Sequence, residues 1–272
     1  MCLLASVAIV KGHSPVEIVV KALELVEADK AFTSEERILI KPNYINASHP
    51  STGNTTDARV VEGTVKFLKE RGLGNMAIGE GSGLSDTKRA YRVAGVDEVA
   101  KRWKVDLIDL DDDEYVIADV PNYLALKTVR ISKIALESAI VSVPKLKLHR
   151  MAGVTLSLKN LMGVVSPKGQ IHHNLNEKIA DLASVVRPKL AVIDGIVGGE
   201  GDELAGRPVK MDLVIAGLDP VAVDTVGAAV MGFDPKRAEH IALAAGKGLG
   251  TCDLKRIKVI GEPIEKVKRD FR

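Results

Sequence analysis

Cysteine is nearly absent from this chain of 272 residues, which carries Cys2 and Cys252 and no other thiol. Two thiols supply neither a disulfide framework nor a four-cysteine iron–sulfur or zinc site, and a reducing compartment, the cytoplasm, is the expected home. Aromatic side chains are also scarce, at 3%, which removes the stacking platforms that single-stranded nucleic acid requires. A dominant charge is missing as well. Lys and Arg number 38 against 36 Asp and Glu, a formal charge of +2, so duplex nucleic acid and anionic membranes are excluded as whole-surface partners. No apolar run approaches the roughly 18 residues of a membrane helix. The opening run MCLLASVAIVKGHSP lacks a basic segment and a credible cleavage site, and it reads as a buried strand from Ser6 to Lys11 rather than a signal peptide. Glutamine occurs once, at Gln170, while Lys and Glu dominate the polar positions, a bias found in thermophile proteins.

What is present is an alternation of short β-branched runs with longer segments of helical period. Buried strands are expected at 5–11, 36–40, 75–79, 105–109, 139–143, 189–193 and 212–217, with a late strand at 257–260. Val16, Val19, Val20, Ala22, Leu23 and Val26 follow helical spacing, as do Val60, Val61, Val65, Phe67 and Leu68, the latter ending at a glycine cap, Arg71-Gly72. In the stretch 111–132, an acidic turn over Asp111–Glu114 precedes Tyr115–Ala118 and Tyr123–Leu126, with Pro121-Asn122 between them, the pattern of a hairpin added to the sheet. The fold class that results is α/β, a mostly parallel, Rossmann-like open sheet with helices on both faces and an added β-hairpin. No repeat or linker interrupts the chain, which reads as one domain over 1–272; two lobes would meet near 110–135.

Polar residues directly follow five of these strands: Lys41-Pro42-Asn43, Glu80-Gly81-Ser82-Gly83, Lys145/Lys147/His149, Asp194-Gly195 and Asp219-Pro220. Ligands of open parallel sheets bind at the strand carboxyl ends, so members of these clusters are expected to converge. Asp219 stands apart as a helix cap ahead of proline at the first helical position. Past Pro144, extended geometry places Lys145, Lys147 and His149 on one side at a period of two. Downstream, Val154, Leu158, Leu161, Met162 and Val165 have helical spacing, with Thr155 and Lys159 sharing another face. A lysine in so apolar a segment needs an anion or a route to solvent. His172 and His173 precede Asn174 and Glu177, which imitate a capping box; a helix N-terminus there favours anions. Asp194 to Gly201 is rich in glycine and reads as a loop that brings N–H groups to a phosphate, with Asp194 and Glu200 able to hold a cation or hydroxyls.

In order along nearly the whole chain, Lys41-Pro-Asn43, Thr55-Thr56, Gly79-Glu80, Pro144-Lys-Leu-Lys147-Leu-His149, Val154-Thr-Leu-Ser-Leu-Lys-Asn-Leu-Met-Gly163, His173, Asp194-Gly195 and Asp219-Pro-Val-Ala-Val-Asp224 resemble the domain of unknown function 362 family (DUF362). That family has no general, settled activity. The resemblance implies site roles for Lys147, His149, Lys159, Asn160, His173 and Asp194. Many members look like iron–sulfur proteins through an added ferredoxin-like cysteine module; this chain departs from them, so a cluster of its own is not expected, while a separate ferredoxin-like partner stays compatible with the resemblance.

Three readings follow. In the first, an enzyme or binding protein holds a small anionic ligand, carboxylate or phosphate, through Lys41, Asn43, Glu80, Lys145, Lys147, Lys159 and Asn160, with His149, His173 and Asp194 as catalytic groups. In the second, His149, His172 and His173 ligate a metal together with Glu200 or Asp194. In the third, the chain is a non-catalytic partner of a redox protein. A homo-oligomer is compatible with each.

Overall fold

The structure, a computed structural model, describes residues 5–204 and 206–272, so Cys2 lies outside the described residues while Cys252 is exposed. The strands are β1 (Ala5–Lys11), β2 (Ile38–Pro42), β3 (Met76–Glu80), β4 (Asp106–Asp109), β5 (Tyr115–Asp119), β6 (Thr128–Ser132), β7 (Ala139–Val143), β8 (Lys145–His149), β9 (Gly153–Thr155), β10 (Leu190–Glu200), β11 (Arg207–Gly217) and β12 (Ile257–Gly261). The helices are α1 (Pro15–Leu25), α2 (Ala58–Glu70), α3 (Thr87–Ala94), α4 (Val96–Trp103), α5 (Lys133–Glu137), α6 (Ser157–Asn160), α7 (Leu175–Val185), α8 (Pro220–Val230), α9 (Glu239–Gly246) and α10 (Ile264–Val267).

The main sheet runs β12-β1-β11-β10-β7-β2-β3-β4, with β8 beside β10 and β9 beside β8. Strands β10, β7, β2, β3 and β4 pair in parallel, as do β1 and β12, whereas β11 runs antiparallel to both of its neighbours. This is the mostly parallel open sheet expected from the sequence. Its strands are apolar on both faces because helices cover both. Val7, Ile9, Leu39, Ile193, Leu213 and Ile215 enter one core, with α7, α8 and α9. Their alternate neighbours Ala8, Val10, Ile38, Ile40, Val192, Val214 and Ala216 enter the other, with α1, α2, α3 and α4. Each fully buried aliphatic side chain contributes on the order of 1.5–3 kcal/mol.

Local signals account for several boundaries. Asp57 caps α2 by accepting from the Arg59 N–H, and Gly72, at φ +76°, follows the C-cap Arg71. Asp219 accepts from the Val221 and Ala222 N–H groups and so caps α8 as expected.

Four expectations need correction. The second hairpin strand is Thr128–Ser132 rather than 123–126, and β5 and β6 form a two-stranded sheet of their own, since Val120 N–H to Lys127 O closes a longer turn. The glycine run after Asp194 is strand, not loop. Strand β10 continues to Glu200 through a bulge between Gly195 and Val197, and a Cβ on Gly199 would meet the Gly53 carbonyl at 2.6 Å, so close backbone packing accounts for the glycine there. Asn174 precedes α7 in left-handed geometry, at φ 52°, with no side-chain cap bond. Thr155 and Lys159 do not share a helix, because Thr155 ends β9 and α6 begins at Ser157.

Candidate functional site

A cleft of about 410 Å³ opens where β2, β3 and β8 end. From β2 the chain builds outward through β3 to β4, then returns to lay β7 on the opposite side of β2. Open α/β sheets bind ligands at such reversals, because loops leaving neighbouring strands diverge and leave a crevice. Thr56 ties the two central strands together at this point. Its hydroxyl accepts from the Asn43 N–H at 2.9 Å and donates to the Val143 carbonyl at 2.8 Å.

The floor is a buried polar network. Lys41 Nζ lies 2.7 Å from Glu80 Oε1 and donates to the carbonyl of Pro42 and to Asn160 Oδ1. Glu80 also accepts from the N–H groups of Tyr44 and Gly81, each at 2.9 Å. Asn160 Nδ2 donates to the Lys41 carbonyl at 2.9 Å and to Ser142 Oγ at 3.1 Å. Burial lowers the Lys41 pKa, against the pull of Glu80. Gly163 packs directly on the pair; a Cβ there would meet Glu80 Oε1 and Lys41 Nζ. The short helix α6, which carries Lys159 and Asn160, is held from below by Asp224 of α8. The Asp224 carboxyl accepts from the Ser157 N–H at 2.8 Å and the Leu158 N–H at 2.9 Å, and burial pushes its pKa up to about 8 despite those bonds.

Against this satisfied floor, two lysines differ. Lys147 is 2% exposed, and its Nζ donates to two backbone carbonyls, Asn54 at 2.9 Å and Glu203 at 3.3 Å. Lys159 is half-buried and has neither a hydrogen-bond nor an ion-pair partner among the described residues. Burial, with Lys159 and Lys145 as like-charged neighbours, pulls Lys147 down to about 7. Burial likewise pulls Lys159 down to about 8, opposed by Glu203 and helped by Lys41. The other lysines of the region are neutralised: Lys145 by Asp194 at 2.6 Å, both fully buried, and Lys168 by Asp111.

His149 has its tautomer fixed by the backbone. Its Nδ1 accepts from the N–H groups of Met151 and Ala152, both at 3.1 Å, so Nε2 carries the proton of the neutral ring. Burial, followed by the charge of Lys159, lowers its pKa to about 3, and the ring is a neutral N–H donor at ordinary pH. Nε2 lies 3.8 Å from Glu203 Oε1. Burial works against the Glu203 charge, but backbone hydrogen bonds, one from the Arg150 N–H, outweigh it and hold the carboxyl at about 2. The buried hydroxyl of Thr155 and the side-chain amide oxygen Oδ1 of Asn43, both on the cleft wall, have no partner among the described residues. Ile45, Leu84, Met151 and Met162 complete an apolar rim, on which Leu84 and Met151 are exposed.

Of the residues expected from sequence, the cleft gathers Lys41, Asn43, Glu80, Lys147, His149, Lys159 and Asn160. Lys145 and Asp194 do not line it. Asp194 accepts from Lys145 and from the N–H groups of Asp57 and Ile196, and so ties α2 to β8 and β10; burial raises its pKa, against the pull of Lys145. His173 is exposed and outside the lining, whereas its neighbour His172 reaches it. Glu200 pairs with Arg207 and accepts from the Arg272 N–H. Among the described residues no group of three or more His, Cys, Asp or Glu side chains is placed to hold a metal. Sequence reasoning missed Glu203, which has no periodic or motif signal. It also missed His240, fully buried on α9 with neither ring nitrogen partnered among the described residues. Burial and the nearby Lys159 lower its pKa to about 3.

Comparison with known proteins agrees with the reading from motifs. Residues 38–229 match the family described as "Domain of unknown function (DUF362)", and the chain belongs to that family. It is 25% identical over 249 residues to the thylakoid-associated protein sll1697 of Synechocystis sp. (strain ATCC 27184 / PCC 6803 / Kazusa), an alignment covering 87% of this chain and 76% of that protein. No solved structure matches. No helix among the described residues is long and apolar enough to cross a membrane.

Proposed function

For this member of the DUF362 family we propose that the cleft binds a small molecule bearing a carboxylate or phosphate. The observation that carries the reading is the contrast among its lysines: Lys41 and Lys168 are matched by carboxylates, but Lys147 meets only backbone carbonyls and Lys159 meets no partner among the described residues. Two unmatched ammonium groups in one partly buried cleft repel each other and lose hydration. An anion between them removes both costs. His149 Nε2–H adds a neutral donor, and the N–H tautomer keeps that donor available whatever the pH near neutrality. The floor network of Lys41, Glu80, Asn43 and Asn160 fixes the walls, since its members bond chiefly to one another. The apolar rim admits a ligand with a small hydrocarbon portion.

Calorimetric titration with inorganic phosphate, oxalate and pyruvate, each in two buffers of different ionisation enthalpy, tests this. Because the free lysines sit at about 7 and about 8, and a bound anion favours their charged forms, binding at pH 7.5 should take up protons and should weaken as pH rises through that window. Lys147→Met and Lys159→Met should each weaken binding roughly ten- to a hundredfold, the usual worth of a charged hydrogen bond. Absence of binding by every phosphate and carboxylate compound, or unchanged affinity in both variants, overturns the proposal.

A further inference from the structure

The two unmatched lysines are not equivalent. Lys147 Nζ is pinned by the carbonyls of Asn54 and Glu203, so it serves as a fixed cation. Lys159 rises from α6, a turn braced at its start by Asp224 and at its end by the Asn160 network, but its own amine is untethered among the described residues and faces a cleft of about 410 Å³. A rigid base with a free amine, in a partly water-excluded site beside a second cation, is the arrangement that turns a lysine into a nucleophile, because the neutral amine is the reactive form. The titratable groups around it are Lys41, Lys147, His149, Glu203 and His240. The two lysines repel added positive charge, while Glu203 alone favours it. Both histidines are neutral near pH 7, so neither supplies a competing cation.

We infer that Lys159 forms an imine with a small 2-oxo carboxylic acid, the carboxylate lying on Lys147 and the carbonyl oxygen facing the His149 Nε2–H. This rests on the anion-binding reading above and names the ligand class within it. In the step, the lone pair of the neutral Lys159 amine forms a bond to the carbonyl carbon, and the carbonyl π pair moves to oxygen. A proton passes from nitrogen to that oxygen to give the carbinolamine. Loss of the hydroxyl with the second amine proton releases water and leaves the C=N bond; no electron acceptor is needed. The unpartnered Thr155 hydroxyl and Asn43 Oδ1 give the carbinolamine hydroxyl two groups to bond, which a simple oxyanion site does not require.

The test is reductive trapping of the whole chain. The protein is incubated at pH 8 with glyoxylate, pyruvate or a longer 2-oxo acid plus sodium cyanoborohydride, and read by intact mass and peptide mapping. A single secondary-amine adduct per chain, mapped to Lys159, is expected. It should be lost in Lys159→Arg, which keeps the charge but cannot form the bond, and reduced in Lys147→Met. Circular dichroism and a cooperative thermal transition at the wild-type temperature certify that Lys159→Arg folds. Labelling spread over exposed lysines, or labelling unchanged in Lys159→Arg, overturns the inference. So does an unlabelled wild-type protein that still binds oxalate by calorimetry, and that last result leaves the anion-binding reading standing. Failure of oxalate, phosphate and pyruvate all to bind overturns both.

Discussion

His149 shows how a single backbone contact decides what a residue can do. From its spacing two residues beyond Lys147, it reads as a group able to move protons. Two backbone N–H groups occupy Nδ1, however, and burial beside Lys159 opposes protonation, so accepting a proton would mean displacing both bonds. A neutral imidazole with Nε2–H can still polarise a carbonyl or hold an anion. Long-range nitrogen–proton correlation spectra should show the Nε2–H tautomer of His149 unchanged from pH 5 to 8, with protonation only toward about pH 3; titration near the ordinary histidine value would disprove the assignment. Gly163 is a second case. Its sequence neighbourhood gives no reason for a glycine, and the reason is the buried Lys41–Glu80 pair pressed against its α-carbon. Gly163→Ala forces that pair apart or the turn outward, and urea unfolding should record a loss of about 1–3 kcal/mol, the cost of overpacking.

Much of this was legible at the level of elements. Strands announced themselves by β-branched runs, and their alternating residues enter the two cores as a period of two requires. Lys41 and Glu80 converge because they stand at the carboxyl ends of the neighbouring strands β2 and β3, and Lys147 joins them from β8, the strand that follows directly on β7, a consequence of topology that needs no motif. The illegible parts have physical causes. The glycines at 198 and 199 look like a phosphate loop, because glycine serves both anion contact and tight strand packing, and only the positions of Phe271 against Gly198 and Gly53 against Gly199 decide between them. Asp194 resembles a catalytic carboxylate until Lys145, 49 residues earlier, is seen to neutralise it. Helix α6 is the element on which the site depends most, yet with four residues it has little helical stability of its own. Its N–H groups are satisfied by Asp224, which the sequence offers only as an acid inside an apolar helix. Asp224→Ala leaves the Ser157 and Leu158 N–H groups buried and unpaired, so it should cost about 2–5 kcal/mol in denaturant unfolding. Because α6 carries Lys159, anion affinity should fall in this variant even where the remaining fold is intact by circular dichroism.

For the whole molecule, the buried titratable groups set a stability profile in which the site leaves a recognisable mark. His149 and His240 have folded pKa values of about 3, below the unfolded value of about 6.5. The unfolded chain therefore binds more protons in that interval, and stability rises with pH from about 3 to about 6.5. Asp224 acts in the opposite sense: raised to about 8 when folded, it makes the folded chain the better proton binder, and its contribution falls as pH climbs from about 4 to about 8. The lysines come last. Lys147 and Lys159 ionise at about 7 and about 8 in the fold but near 10.4 in the unfolded chain, so stability rises again as pH increases through that range to about 10. Ligand-free protein should thus show an alkaline rise in melting temperature between about pH 8 and 10, where most proteins no longer gain stability. The rise should shrink in the Lys147→Met/Lys159→Met double variant, in which Lys41 is the depressed amine left in the cleft. Saturating oxalate should flatten it too, by stabilising the protein most below pH 7, where both lysines are charged without help. Differential scanning calorimetry across this range, with and without oxalate, checks all three outcomes, and an alkaline rise that survives undiminished in the double variant would place its origin outside Lys147 and Lys159.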